Sequence, residues 1–156
     1  MSEHIILRTS EPLPETMLRQ LAQPDGRVAL ILHPLPLDEP YYAQIAAGMP
    51  SAKPGSAYYA ISDSPRYLHC DYFIEDIVKD TGRGDWYHPA AFRAVAATLL
   101  RLVRMCPKPL DIYMSNDPGP GCERIVPTRL SEFIETFEAS VETLVILPDL
   151  VLHVTD

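Results

Sequence analysis

The sequence predicts a single domain over residues 1–156 with an α+β, or irregular α/β, fold in which a mixed sheet packs around one long apolar helix. Short apolar runs alternate with stretches of helical periodicity, which favours a fold containing both kinds of element. The stretch 88–106 (HPAAFRAVAATLLRLVRMC) has proline in its first turn, no glycine, and apolar residues around most of its circumference. We therefore expect the other elements to surround this helix, with Leu99 and Val103 fully buried.

The N-terminal part of the chain predicts a strand, a helix and a second strand. Residues 3–9 (EHIILRT) are short and apolar, and a helix over 14–23 follows. Residues 27–33 (RVALILH) form the continuous apolar run of a strand covered on both faces. This order suggests a βαβ unit, with a plain α+β arrangement as the alternative. A short helix over 39–48 and a mobile loop over 49–56 (MPSAKPGS) come next.

The middle of the chain predicts a hairpin and a half-exposed strand. Residues 57–62 (AYYAIS) and 66–74 (RYLHCDYFI) are strand-like runs separated by a short turn. Residues 110–115 (LDIYMS) alternate between apolar and polar side chains. This alternation indicates a strand whose wet face carries Asp111, Tyr113 and Ser115.

The C-terminal part predicts a long turn, an amphipathic helix and a final strand. The glycines and prolines of residues 116–126 indicate the turn. Thr128 can cap a helix over 128–140, in which the apolar residues follow helical spacing. Residues 143–147 and 150–154 then form one bent strand or two.

The composition is that of an ordinary globular domain kept in a reducing compartment. The chain is 47% apolar and 22% charged, with no apolar run long enough to span a bilayer. Its N-terminal residues do not resemble a signal peptide. Its three cysteines, Cys70, Cys106 and Cys122, are widely spaced, which favours free thiols over a disulfide framework. These features predict a cytoplasmic protein.

The acidic residues are concentrated in the last third of the chain. Residues 111–156 hold nine acidic and two basic side chains, so they contribute −7 to a net charge of −8. Nucleic-acid binding requires a basic face, and an anionic membrane surface would repel this segment. The balance therefore argues against nucleic acid and membrane, and favours a basic protein as partner.

Three groups of residues have a catalytic appearance, but each has a simpler interpretation. His69 and Asp71 share a strand face, whereas Cys70 would point to the opposite face, toward the core. His88, next to Trp86, fits the cap of the long helix. The loop at Cys122 lacks the spacing of a phosphate-binding motif. The remaining histidines have no metal-ligand spacing, so we predict no metal, no cofactor and no catalytic residue.

Aromatic and acidic residues provide the candidate partner surface. Most of the eight tyrosines lie between residues 41 and 87, and exposed Tyr and Trp side chains are typical of protein-binding surfaces. The glutamates of helix 128–140 lie off its apolar stripe and would be solvated or face a partner. The candidate partner-binding residues are Tyr41, Tyr58, Tyr59, Trp86, Glu132, Glu135 and Glu138.

We therefore expect a non-enzymatic, acidic protein-binding module. Small acidic bacterial immunity or antitoxin-type inhibitors, which cover the basic cleft of a toxic effector, fit this physical description by analogy of type. One alternative is a small hydrolase or transferase with a pocket around His69, Asp71 and His88. Another is a structural adaptor subunit. The sequence leaves the oligomeric state open.

Overall fold

The computed structural model describes residues 4–21, 31–62, 68, 97, 100–115, 124–132, 134–135 and 150–155. These residues include a sheet of six strands and two short helices, which makes the fold a mixed α+β one. The elements in chain order are β1 (His4–Thr9), α1 (Glu15–Leu21), β2 (Ile31–Pro34), α2 (Pro40–Ala47), β3 (Ala57–Ser62), β4 (Leu110–Ser115), β5 (Arg124–Thr128) and β6 (Leu150–Val154).

The strands are arranged in the order β2-β3-β1-β4-β6-β5. Neighbours pair antiparallel from β2 to β6, and β5 pairs parallel to β6. Strand β1 lies inside the sheet and is buried along its whole length, as expected for a run of Ile and Leu that is covered on both faces.

The position of strand β3 differs from the predicted βαβ unit and from the predicted hairpin. It lies between β1 and β2 and is antiparallel to both, so β1 and β2 run parallel but are not neighbours. The predicted βαβ unit therefore has an antiparallel strand inserted between its two strands. The predicted hairpin of residues 57–62 with 66–74 is wrong in its pairing, because β1 and β2 occupy both sides of β3. Of residues 66–74 only Leu68 is described, and it lies in a bend.

Strand β4 does not have the predicted wet face. Asp111 and Tyr113 are both buried, and Tyr113 belongs to an apolar cluster with Ile45 of α2 and Met49 of the following loop. The alternation of polar and apolar residues was a sound indicator of a strand. It was misleading about exposure because α2 and the loop cover the face that carries the polar residues.

Strand β5 was not predicted, because the glycines and prolines of residues 116–126 suggested a turn and Thr128 was expected to begin a helix. A proline lacks the N–H that an inner strand must donate, but β5 is at one end of the order of the described strands, and a proline is tolerated in an edge strand. The next helical residues begin at 130, so Arg129 occupies the N-cap position that we had assigned to Thr128.

Only part of the long helix predicted for 88–106 lies within the described residues, so the structure does not show a helix of that length. Residues 97 and 100–105 are helical, and Cys106 N–H donates to Leu102 C=O at 2.9 Å as the helix ends. Val103 is fully buried as predicted, and Leu102 is buried with it. Leu99 and residues 88–96 lie outside the described residues.

Candidate functional site

Three polar residues form a row across the middle of the sheet. Arg8 of β1 is the register partner of Asp111 of β4, and Asp111 is the register partner of His153 of β6. Paired residues on neighbouring strands project from the same face, so the three side chains meet. We call Arg8, Asp111 and His153 the polar row.

The two outer members of the polar row hold opposite oxygens of the carboxylate between them. Arg8 Nε donates to Asp111 Oδ2 at 2.8 Å, and His153 Nδ1 lies 2.7 Å from Asp111 Oδ1. The Arg8 and Asp111 side chains are 0% exposed, whereas the His153 side chain is 21% exposed. The row therefore runs from a fully buried ion pair to an imidazole ring that reaches solvent.

The loop over residues 49–56 closes over this row through two serines. Ser51 N–H donates to Asp111 Oδ2 at 3.0 Å, and Ser51 Oγ lies 3.1 Å from His153 Nδ1. Ser56 Oγ accepts from Arg8 Nη1 at 3.1 Å. The loop predicted to be mobile is thus hydrogen-bonded to all three members of the row.

The surroundings of Arg8 and Asp111 compensate for the cost of removing charge from water. Arg8 Nη2 donates to the carbonyl of Pro109 at 2.9 Å, so each of its three nitrogens has a partner. Asp111 accepts from Arg8, from the Ser51 amide and from the His153 ring. Charged hydrogen bonds of this kind are needed because a buried ion pair is costly unless its remaining donors and acceptors are satisfied.

The geometry fixes which ring nitrogen of His153 carries a proton. An ionised carboxylate only accepts hydrogen bonds, so the 2.7 Å contact places a proton on Nδ1, which donates to Asp111 Oδ1. In the neutral ring Nε2 then has the lone pair. Ser51 Oγ and Asp111 both contact Nδ1, so these residues do not form a Ser-His-Asp triad, in which serine and aspartate contact opposite ring nitrogens.

The sequence carries one signal of this row. Strands β1, β4 and β6 (HIILRT, LDIYMS and LVLHV) each carry one member of the row at the second position from one end of a largely apolar run. A buried charge needs a partner, which suggests that Arg8, Asp111 and His153 meet. The strand order and register that bring them together are not visible in the sequence.

Tyr41, one of the predicted partner-binding residues, packs edge to face against its neighbour Tyr42. Their ring centroids are 5.0 Å apart at an interplanar angle of 83°, a favourable arrangement for aromatic pairs. Both are half-buried and pack against the apolar cluster that contains Ile6 and Tyr113. Burial, and to a smaller extent the negative charge of Glu39, raises the pKa of the Tyr42 hydroxyl.

Tyr58 and Tyr59 lie on opposite faces of β3, as expected for neighbours in a strand. Tyr58 is half-buried and packs against the same cluster. Tyr59 is only 6% exposed, and its hydroxyl accepts from Leu13 N–H at 2.8 Å. This placement removes Tyr59 from the candidate partner surface, because the sheet is covered on the face to which its ring points.

The predicted acidic helix is described at its beginning. Glu132 and Glu135 are exposed. Glu132 Oε2 also accepts from the Arg129 N–H at 3.1 Å, as the third residue of a helix does in a capping box. Glu132 therefore has a local structural role in addition to any role in binding. Glu138 and Trp86 lie outside the described residues.

The segment before α2 forms the most distinctive described surface. Leu37 is 45% exposed, and Asp38, Glu39 and Pro40 beside it are also exposed. Tyr41 and Tyr42 follow directly. We call residues 37–42 the 37–42 patch; it combines an exposed apolar side chain, two carboxylates and an aromatic pair.

The residues of the predicted alternative enzyme site, His69, Asp71 and His88, lie outside the described residues, as do Cys70 and Cys122. Cys106 is described, buried and not in a disulfide. Burial raises the pKa of its thiol to about 11, despite the opposing effect of Lys108. Because the thiolate is the reactive form, Cys106 has the properties of a structural cysteine.

The described part of the chain has neither a metal-binding cluster nor a membrane-spanning helix. No cluster of three or more His, Cys, Asp and Glu side chains there is arranged to hold a metal ion. No helix in the same ranges has the length and apolar character needed to cross a membrane. Comparison of the chain with protein-family models, curated proteins and solved structures found no match.

Proposed function

We propose that this chain is an acidic protein-binding module of the immunity or antitoxin type, which binds a basic bacterial effector or toxin through a surface that includes the 37–42 patch. The observation that carries the proposal is the exposed Leu37 flanked by Asp38 and Glu39. An apolar side chain bordered by carboxylates is suited to a partner that presents an apolar pocket within a basic surface.

The aromatic pair supports this role by giving the patch a fixed base. Tyr41 and Tyr42 are held against the core cluster, so little conformational freedom remains to be lost when a partner covers their exposed edges. Rigid aromatic residues next to an exposed apolar side chain are typical of the centre of a binding surface.

The charge of the chain supports a basic partner. The net charge is −8, and exposed Glu135 adds a carboxylate outside the patch. Charges at the rim of an interface act mainly on the association rate, which falls as salt screens them. Glu135 tests this effect more cleanly than Glu132 does, because Glu132 also caps the helix.

Two finer features belong to the same proposal. We infer that residues 88–106 form one continuous helix around which the sheet packs, because residues 97 and 100–105 are helical and Leu102 and Val103 are fully buried. We also infer a cytoplasmic location, because the sequence has three widely spaced cysteines and Cys106 is a free, buried thiol.

The test compares two exposed apolar residues. Met105 is 39% exposed, close to the 45% of Leu37, but lies in a different part of the chain, so Met105→Ser is a matched control for Leu37→Ser. The immobilised wild type and both variants are exposed to a lysate of the source cell, and the retained proteins are quantified by mass spectrometry.

We expect the wild type and Met105→Ser to retain the same basic protein in similar amounts. Leu37→Ser should retain about tenfold less of it, or even less than that, as for a residue at the centre of an interface. Reversal of Asp38 and Glu39 to lysine should slow association with the purified partner at low salt, and the difference should shrink at higher salt. Equal retention of all partners by wild type and Leu37→Ser would contradict the proposal.

A further inference from the structure

The polar row shares no residue with the 37–42 patch. Of the three members of the polar row, two are fully buried and His153 is 21% exposed. Three residues that only held strands together could all be buried away from solvent. Here the buried ion pair ends in a titratable ring at the surface.

The orientation of this ring is set by its neighbours. Asp111 Oδ1 accepts the Nδ1 proton at 2.7 Å, while Asp111 Oδ2 is held by Arg8 Nε at 2.8 Å and by the Ser51 amide at 3.0 Å. The carboxylate therefore cannot turn away from the ring without breaking two other hydrogen bonds. It fixes the tautomer in which Nε2 is the basic and nucleophilic atom.

A carboxylate bonded to one ring nitrogen also stabilises positive charge on the ring. This charge develops when the other nitrogen takes up a proton or attacks an electrophile. The same stabilisation is smaller for a histidine in water, where solvent must reorganise around the new charge. Asp111 is fully buried and already oriented, so its contribution requires little reorganisation.

We propose that His153 is a nucleophilic catalytic residue for acyl transfer from small activated esters or anhydrides, with Nε2 as the reacting atom and Asp111, Arg8 and Ser51 as positioning residues. This activity is independent of the proposed protein-binding function. We limit the substrates to small acyl groups, because the His153 side chain is only 21% exposed and most of it is covered.

The reaction with an activated ester takes place in two steps. In the first, the Nε2 lone pair attacks the carbonyl carbon, the bond from that carbon to the leaving oxygen breaks, and the leaving group departs as phenolate. The resulting acylated ring is cationic and keeps its Nδ1–H bond to Asp111. In the second step water adds to the acyl carbon and the C–Nε2 bond breaks with its electron pair returning to Nε2. One proton of the water passes to the solvent, and the products are a carboxylic acid and the neutral ring with its Nδ1–H.

The first experiment uses diethyl pyrocarbonate, whose ethoxyformyl group is transferred to Nε2 with release of ethanol and carbon dioxide. Modification rates at His153 and at half-buried His33 are measured by mass spectrometry in the folded protein and in urea. The unfolded chain gives the reactivity of each ring without its surroundings. We expect His153 to react about tenfold or more faster in the folded protein, and His33 to show no such acceleration.

A purely structural His153 would behave in the opposite way, because folding would only shield it. A rate at His153 that is equal or slower in the folded protein would therefore overturn the proposal. This comparison needs no variant, so it holds even where a substitution in the polar row prevents folding.

The second experiment measures hydrolysis of p-nitrophenyl acetate. His153→Gln should lower kcat/KM about tenfold or more, whereas His33→Gln should leave it unchanged. Asp111→Asn, examined where circular dichroism shows it to be folded, should lower kcat with little change in KM, as expected for a positioning residue. Unchanged hydrolysis by His153→Gln would overturn the proposal. Met105→Ser, which lies outside both the polar row and the 37–42 patch, should retain full activity. Hydrolysis of this ester requires no protein partner, so failure here and failure of the binding proposal are distinguishable.

Discussion

The polar row and the 37–42 patch lie on the same side of the sheet, but they differ in how their charges meet solvent. Arg8 and Asp111 are fully buried, with every nitrogen of the guanidinium and both oxygens of the carboxylate hydrogen-bonded. Asp38 and Glu39 are exposed, beside an apolar side chain that is itself 45% exposed. The loss of a buried charge therefore affects folding, whereas the loss of an exposed one affects association.

Loss of the central carboxylate should produce the largest effect on stability. Asp111→Ala leaves Arg8 buried without its ionic partner and removes the acceptor of the Ser51 amide and the His153 ring. We expect the free energy of unfolding to fall by about 3–5 kcal/mol, as measured by urea denaturation.

The double variant Arg8→Met, Asp111→Leu serves as the control, because it removes both charges together. It should recover much of the lost stability, since no uncompensated charge is left in the interior. A cost below about 1 kcal/mol for Asp111→Ala would show that the ion pair is not buried as described.

Substitution of the two loop serines should lower the free energy of unfolding by less than Asp111→Ala does, and by different amounts for the two positions. Ser56→Ala removes the acceptor of Arg8 Nη1, which leaves part of a buried cation unsatisfied, and should cost about 1–3 kcal/mol. Ser51→Ala keeps the amide bond to Asp111 and removes only a hydroxyl beside a ring that is already bonded, so it should cost less. Urea denaturation of the two variants checks this order, and the reverse order would contradict the described contacts.

Substitution in the 37–42 patch should have the smallest effect on stability. Leu37→Ser changes a side chain that is already 45% exposed, so the free energy of unfolding should change by no more than about 0.5 kcal/mol. Thermal denaturation next to Met105→Ser checks this expectation. A loss of more than about 2 kcal/mol would show that Leu37 belongs to the core, and the patch would no longer be a binding surface.

The sequence predicted features that depend on near neighbours along the chain. The bounds of β3 and β4 matched their predicted runs, and the helix before the loop was placed within one residue, because apolar periodicity and prolines report local structure. Of the 37–42 patch, the sequence analysis singled out only Tyr41, as one of the candidate partner-binding aromatic residues.

The polar row could not be predicted in this way. Asp111 is 103 residues from Arg8 and 42 from His153 along the chain, and only the order β1-β4-β6 brings them together. The same missing information led to the incorrect hairpin and to the wet face assigned to β4. Strand order and coverage of the sheet depend on contacts between distant segments, which a periodic pattern does not encode.

The most direct test of the polar row is the position of the proton on the His153 ring. A long-range ¹H–¹⁵N NMR spectrum, recorded at a pH where the ring is neutral and assigned with His153→Gln, distinguishes the two nitrogens. The contact of Nδ1 with Asp111 Oδ1 at 2.7 Å predicts a protonated Nδ1 and an unprotonated Nε2. A proton on Nε2, or rapid averaging between the two tautomers, would show that Asp111 does not orient His153.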